Sequence, residues 1–394
     1  MGRLGRCFNA GGRSDLAEQC QRDAIAVCDK LEQSNSVKRE RGTELTDLAD
    51  ALAEQGKYAE ARRAYEDSLA VKREIGGDLR GEGVVQGQLG TLAMREGREG
   101  WFAEALIRFR AALELDQQLG ELAEQAVDWH QLGMLFQEAR QWDEAERHYR
   151  ESARIKEERG DMAAAARTWN QLANVNILAG KPDAAELWYR KAIEGFRKDE
   201  HSFHLSTALN NLAALLQTQA GRLAEARQLA EEALALKQTL DPGAAEIWVT
   251  YNILAQSADR EAEATTEDRR KAGLCAEARE YRRLARDAKR NFAGTRHELR
   301  QFAPVIVATV AASAGQPEAR EAVTQHQQAM SQGGPGWQAV SQVLGRILAG
   351  ERDETALCEG LDLQKAMLIE TILQGLADPA TLSDLLPTES PEAT

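Results

Sequence analysis

Residues 129–152 read WHQLGMLFQEARQWDEAERHYRES, and this stretch decides the fold. Trp129, Leu132, Gly133 and Phe136 fall at i, i+3, i+4 and i+7, which is one face of an α-helix. Ala145, Tyr149 and Ser152 line one face of a second helix. The segment between them, Arg140-Gln-Trp-Asp-Glu-Ala145, carries the turn. The spacing therefore predicts a hairpin of two amphipathic helices. The small residue at Gly133 lets the partner helix approach, and the aromatic at Tyr149 fills the space between the two.

Working outward, the same turn recurs with glycine in the first slot: Gly56-Lys-Tyr-Ala-Glu-Ala61, Gly100-Trp-Phe-Ala-Glu-Ala105, Gly180-Lys-Pro-Asp-Ala-Ala185, Gly221-Arg-Leu-Ala-Glu-Ala226 and Gly273-Leu-Cys-Ala-Glu-Ala278. Gly12-Arg-Ser-Asp-Leu-Ala17 fits at the start, and Gly315-Gln-Pro-Glu-Ala319 fits one residue short. The alanines are spaced by 44, 44, 40, 40, 41, 52 and 41 residues. Glycine belongs where the first helix stops, because a left-handed residue costs least there. The small slot repeats at Ala173, Ala213 and Ala255, and the aromatic slot at Tyr65, Phe109 and Tyr189. One hairpin cannot bury its apolar stripe alone, so the units must stack into a solenoid.

Composition agrees with a folded, all-helical chain. The 394 residues are 43% hydrophobic and 28% charged, with only 8 prolines. Lys+Arg of 49 against Asp+Glu of 63 gives a net charge of −14, so nucleic acid is not the expected partner, which would require a basic stripe. No apolar run is long enough for a membrane span. Cys7, Cys20, Cys28, Cys275 and Cys358 are scattered and read as reduced thiols of a cytoplasmic protein.

The pattern W-x-x-L-G…G-x-x-x-x-A…Y resembles the tetratricopeptide repeat, with a period above the usual 34. Thr207-Ala-Leu-Asn-Asn-Leu-Ala-Ala-Leu-Leu216 with Gly221-Arg-Leu-Ala-Glu-Ala-Arg227 is similar to the kinesin-light-chain type found in bacterial arrays. The resemblance implies an all-α, right-handed solenoid of helix-turn-helix repeats with a helical C-terminal cap. Residues 1–330 are expected to hold about eight units, 331–386 the cap and 387–394 a disordered tail. Leu4-Gly5-x-x-Phe8 matches Leu132-Gly133-x-x-Phe136, so the chain opens halfway along a first helix. That opening reads either as a piece of a longer protein or as a degenerate first unit. The 52-residue step places an insert around 257–270, expected to be a longer solvated connection between helices.

Chemistry-bearing motifs are absent: there is no phosphate loop, GxSxG elbow or HExxH. His201-Ser-Phe-His204 has ligand-like spacing but no third ligand nearby. Glu60, Glu104, Glu144 and Glu225 recur at the same slot of the repeat, which marks architecture. No enzyme activity, metal or cofactor is expected.

In this repeat class the first helices line the concave face. Relative to the core leucines (48, 89, 132, 172, 212, 254), the positions one, two and five before and two after face the groove. In the middle units these include His130 and Gln131, then Arg167, Asn170, Gln171 and Asn174, then Thr207, Asn210 and Asn211, then Asn252 and Gln256. Outer units carry Thr46, Asp47, Asp50, Gln88 and Thr91. Carboxamides donate and accept at once, which suits an extended peptide main chain. The resemblance implies the same, through the asparagine ladder of kinesin-light-chain-type repeats. The competing reading has these amides bonding between neighbouring helices.

The leading expectation is thus a non-enzymatic scaffold that binds a peptide or protein in its groove. One alternative is the sensor arm of a larger STAND-type NTPase whose switch domain lies elsewhere. Another is a self-associating protein, or an adaptor for a protease.

Overall fold

Where the signature places glycine after an apolar stripe, the backbone turns left-handed. Gly12, Gly56, Gly100, Gly180, Gly221 and Gly315 all have φ between +72° and +93°. A computed structural model describes residues 2–385 apart from 33, 199–200, 242–244 and 291, so the expected tail at 387–394 lies outside the described residues. The described residues form twenty α-helices, one 3-10 segment and no strand. They divide into two compact units, Met1–His201 and Ser202–Thr394.

The first unit is a stack of five hairpins. These are α1 (Gly2–Ala10) with α2 (Ser14–Cys28), α3 (Asn35–Glu54) with α4 (Tyr58–Ile75), α5 (Leu79–Glu96) with α6 (Trp101–Leu119), α7 (Leu122–Glu138) with α8 (Trp142–Glu158), and α9 (Met162–Leu178) with α10 (Pro182–Lys198). The predicted core slots are filled: Leu48, Leu89, Leu132 and Leu172 are buried, as are Tyr65, Phe109, Tyr149 and Tyr189. The small slot is sterically required. A Cβ at Gly133 would come within 2.6 Å of the Tyr149 ring, and one at Gly90 within 2.7 Å of Phe109. Successive repeats are also tied through the recurrent glutamate. Arg22 of α2 pairs with Glu60 at 3.2 Å, and Arg62 of α4 pairs with Glu104.

The second unit continues the hairpins with α11 (Ser202–Leu216) and α12 (Leu223–Lys237), then α13 (Ile247–Ala264) and α14 (Asp268–Arg290). Here the structure departs from the longer solvated connection expected around 257–270. The insert is absorbed as helix, because Ser257, Ala258 and Ala262 are buried and only 265–267 connect the two helices. Gly273 consequently lies inside α14 and not in a turn. Then follow α15 (Ala293–Arg300), α16 (Ala303–Ser313), α17 (Pro317–Ser331), α18 (Pro335–Leu348), α19 (Glu354–Cys358) and α20 (Leu363–Ala377), with a 3-10 segment at Pro379–Leu385. Val305, Ile306, Leu344, Ile347, Leu368 and Ile369 share one apolar cluster. Asp353 caps α19 by accepting from the Thr355 and Ala356 amides, and Asp362 caps α20 through the Lys365 amide. No described helix is long and apolar enough to cross a membrane.

Candidate functional site

The positions one, two and five before each core leucine, and two after it, form a stripe that is mostly half-buried or exposed, against an otherwise buried helix face. In the first unit α7 and α9 carry the predicted residues. Gln131 and Asn170 are half-buried, and Arg167 is exposed. Gln171 accepts at 3.1 Å from the Nδ2 of Asn174, whose Oδ1 accepts from the Tyr189 hydroxyl at 2.6 Å. Asn174 thus has both ends of its amide engaged within its own hairpin. The His130 ring lies 5.0 Å from that of Tyr149. Burial, with Lys156 and Arg167 nearby, pushes its pKa down to about 4, so the imidazole is neutral at pH 7.

Sequence reasoning missed an apolar component of this face. Val84, Val127 and Met134 are 48%, 47% and 39% exposed and occupy the stripe on α5 and α7. The same position arithmetic would have found them. An apolar side chain on a helix simply reads as core, which hid the signal.

At the start of the first unit the stripe opens into a cleft of about 570 Å³ among α1, α3 and α5, lined in part by Arg6, Asp47, Asp50, Glu54, Gln88 and Thr91. Four of the five outer-unit positions read from the sequence line it. The fifth, Thr46, is buried, with its hydroxyl donating to the Gly42 carbonyl at 3.0 Å.

In the second unit Asn211 is half-buried, and the Thr207 hydroxyl donates to the Phe203 carbonyl at 3.1 Å. Asn210 lies inside the stack, 2% exposed, and its Nδ2 donates to Thr250 of the next first helix at 2.8 Å. Its neighbour Gln217 bridges likewise to the Ile253 carbonyl at 2.6 Å. Asn252 and Gln256 line a separate cleft of about 470 Å³ with Arg282, Arg286, Lys289 and the start of α20. Among the described residues, no group of three or more His, Cys, Asp or Glu is arranged to hold a metal ion.

Family models described as tetratricopeptide repeat match residues 45–78, 129–163 and 159–239. No curated protein matches the chain. Among solved structures, a signal transduction ATPase with numerous domains (STAND) from Pyrococcus horikoshii, with a tetratricopeptide repeat sensor, superposes with a TM-score of 0.58 at 15% identity. That match covers 70% of this chain and 40% of the ATPase. The apo form of RapI superposes with a TM-score of 0.50 at 14% identity, covering 73% of this chain and 96% of that one. BtubC from P. vanneervenii is 22% identical over 58% of this chain and 91% of its own, with a TM-score of 0.49. At these identities the likeness is one of fold.

Proposed function

The chain is a tetratricopeptide-repeat protein, and on that premise we propose that it is a non-enzymatic scaffold whose first-helix faces hold another polypeptide. One observation carries the reading. On successive first helices the same positions are mostly half-buried or exposed, and they bear a mixture of amides, a cation and exposed apolar side chains. A peptide main chain needs donors and acceptors in alternation, and the carboxamides of Gln131 and Gln171 carry both. Val84, Val127 and Met134 offer area for its side chains. Asn210 is left out of this set, because its amide is buried and donates to Thr250 of the next first helix.

Each direct hydrogen bond adds about 0.5–1.5 kcal/mol net. Replacing both Gln131 and Gln171 with Ala is therefore expected to weaken partner capture about tenfold, with the melting temperature nearly unchanged. Affinity pull-down with mass spectrometry reads the first and calorimetry the second. Capture equal to that of the parent chain contradicts the assignment.

The STAND relative supports a second reading, in which this array is the recognition arm of a larger switch protein. A Walker A motif encoded next to this chain is the finding that favours it.

A further inference from the structure

The cleft at the start of the first unit carries a row of three carboxylates, of which only two meet a cation among the described residues. Asp47, Asp50 and Glu54 lie at i, i+3 and i+7, one stripe of α3 facing the cleft. Flanking helices answer the outer two. Arg6 of α1 pairs with Asp47 at 2.6 Å, and Arg95 of α5 pairs with Glu54 at 2.6 Å. Asp50 sits between them with no cation partner among the described residues. Its close contact is the Tyr65 hydroxyl, which donates to it.

A second, independent feature points the same way. Gln21 of α2 lines the same cleft and is only 1% exposed. Its Nε2 donates to the Gly2 carbonyl, yet its Oε1 has no hydrogen-bond partner among the described residues. A buried acceptor left unmade is costly, so such an atom marks a place where a donor is wanted. Asp50 and Gln21 both accept, and the two guanidiniums nearby are already engaged. A complementary group must bring N–H donors and positive charge. We propose that this cleft is a pocket for a lysine or arginine side chain of the bound polypeptide, with Asp50 as its counter-charge. The proposal rests on the reading that first-helix faces hold a polypeptide, and it gives that polypeptide a basic anchor residue.

The electrostatics supply a linked effect. Burial, opposed by the Tyr65 hydrogen bond and reinforced by Asp47 and Glu54, raises the Asp50 pKa to about 6. The charged and titratable groups facing it are Tyr65 from α4, Arg95 from α5, Arg6 from α1, and Asp47 and Glu54 on α3. A cation in the pocket favours the ionised carboxylate, so binding releases a proton and weakens as pH falls from 7.5 to 5.

The test uses the full chain and a fluorescent Gly/Ser peptide, blocked at both ends, with one central lysine. Counterparts carry arginine, norleucine or glutamate at that position. Anisotropy titration is expected to show lysine and arginine binding about tenfold tighter than norleucine, and glutamate weakest. In Asp50→Asn the lysine peptide drops to the norleucine level, and the loss of affinity at pH 5 disappears. Thr91→Lys, which sets a fixed ammonium in the cleft with Asp50 intact, is expected to exclude the basic peptides, and it remains informative if Asp50→Asn fails to fold. Norleucine binding as tightly as lysine, or Asp50→Asn retaining full affinity for lysine, overturns the pocket alone. No binding by any of the four peptides overturns the pocket and counts against the polypeptide-binding reading as well.

Discussion

Asp116 and Asp128 occupy the slot that one repeat later holds Lys156 and Thr168, whose Nζ–Oγ1 contact is 2.8 Å. Both aspartates are buried, at 4% and 6% exposure, and the charge of Asp116 disfavours ionisation of Asp128. Two carboxylates cannot both ionise in such a place, so the pair holds a proton. Burial first, and then the neighbouring Asp116, raise Asp128 to about 8. The sign follows from linkage. Between about pH 4 and pH 8 the folded chain keeps a proton that the unfolded chain has released, so stability falls as pH rises through that window. Asp128→Asn keeps a donor without the titration. It is expected to flatten the slope by on the order of 1 kcal/mol per pH unit, read from melting temperatures between pH 5 and pH 9. A slope unchanged in the variant contradicts the shared proton. Periodicity gave no sign of their meeting, because the partner in each slot lies twelve residues on, on the next helix. The same limit applies to Asn210. Its face was legible, but its burial depended on Thr250, forty residues on.

At the scale of elements, turn chemistry made the hairpins legible. The left-handed residue that ends a first helix is glycine in most repeats and Arg140 in the fourth, where φ is +56°. That conformation costs an L-residue roughly 1–2 kcal/mol, partly offset by the lower backbone entropy of a non-glycine chain. Arg140→Gly is therefore expected to stabilise the chain by about 0.5–1 kcal/mol in denaturant unfolding. A destabilised variant would show that the Arg140 side chain does more than close the helix. The glycine rule misled at Gly273, which matches the signature and lies within α14. The preceding insert had lengthened both helices, and a local motif does not register the shift. Likewise the stretch from Glu354 onward is helical by pattern, but Gly360, at φ +75°, and the cap at Asp362 split it into α19 and α20.

On the scale of the whole molecule, each compact unit buries its own stripe of core and leaves its first-helix stripe mostly half-buried or exposed. In the second unit α14 is tied to α20 by a buried ionic group. Glu370, 3% exposed, accepts from Arg286 and, at 2.8 Å, from Arg290. Such a group fixes which helix packs where more than it adds to stability. The fold was legible because every unit repeats one small set of steric rules. The binding face was legible only as a set of positions, since exposure and bonding depend on neighbours in adjacent repeats. The most direct test of the account is site-specific photo-crosslinking in cells. A photoreactive residue at Gln131, on a first helix, is compared with one at Arg147, exposed on a second helix. The account predicts crosslinked polypeptide at Gln131 and little at Arg147; no crosslink at Gln131, or equal yield at both, contradicts it.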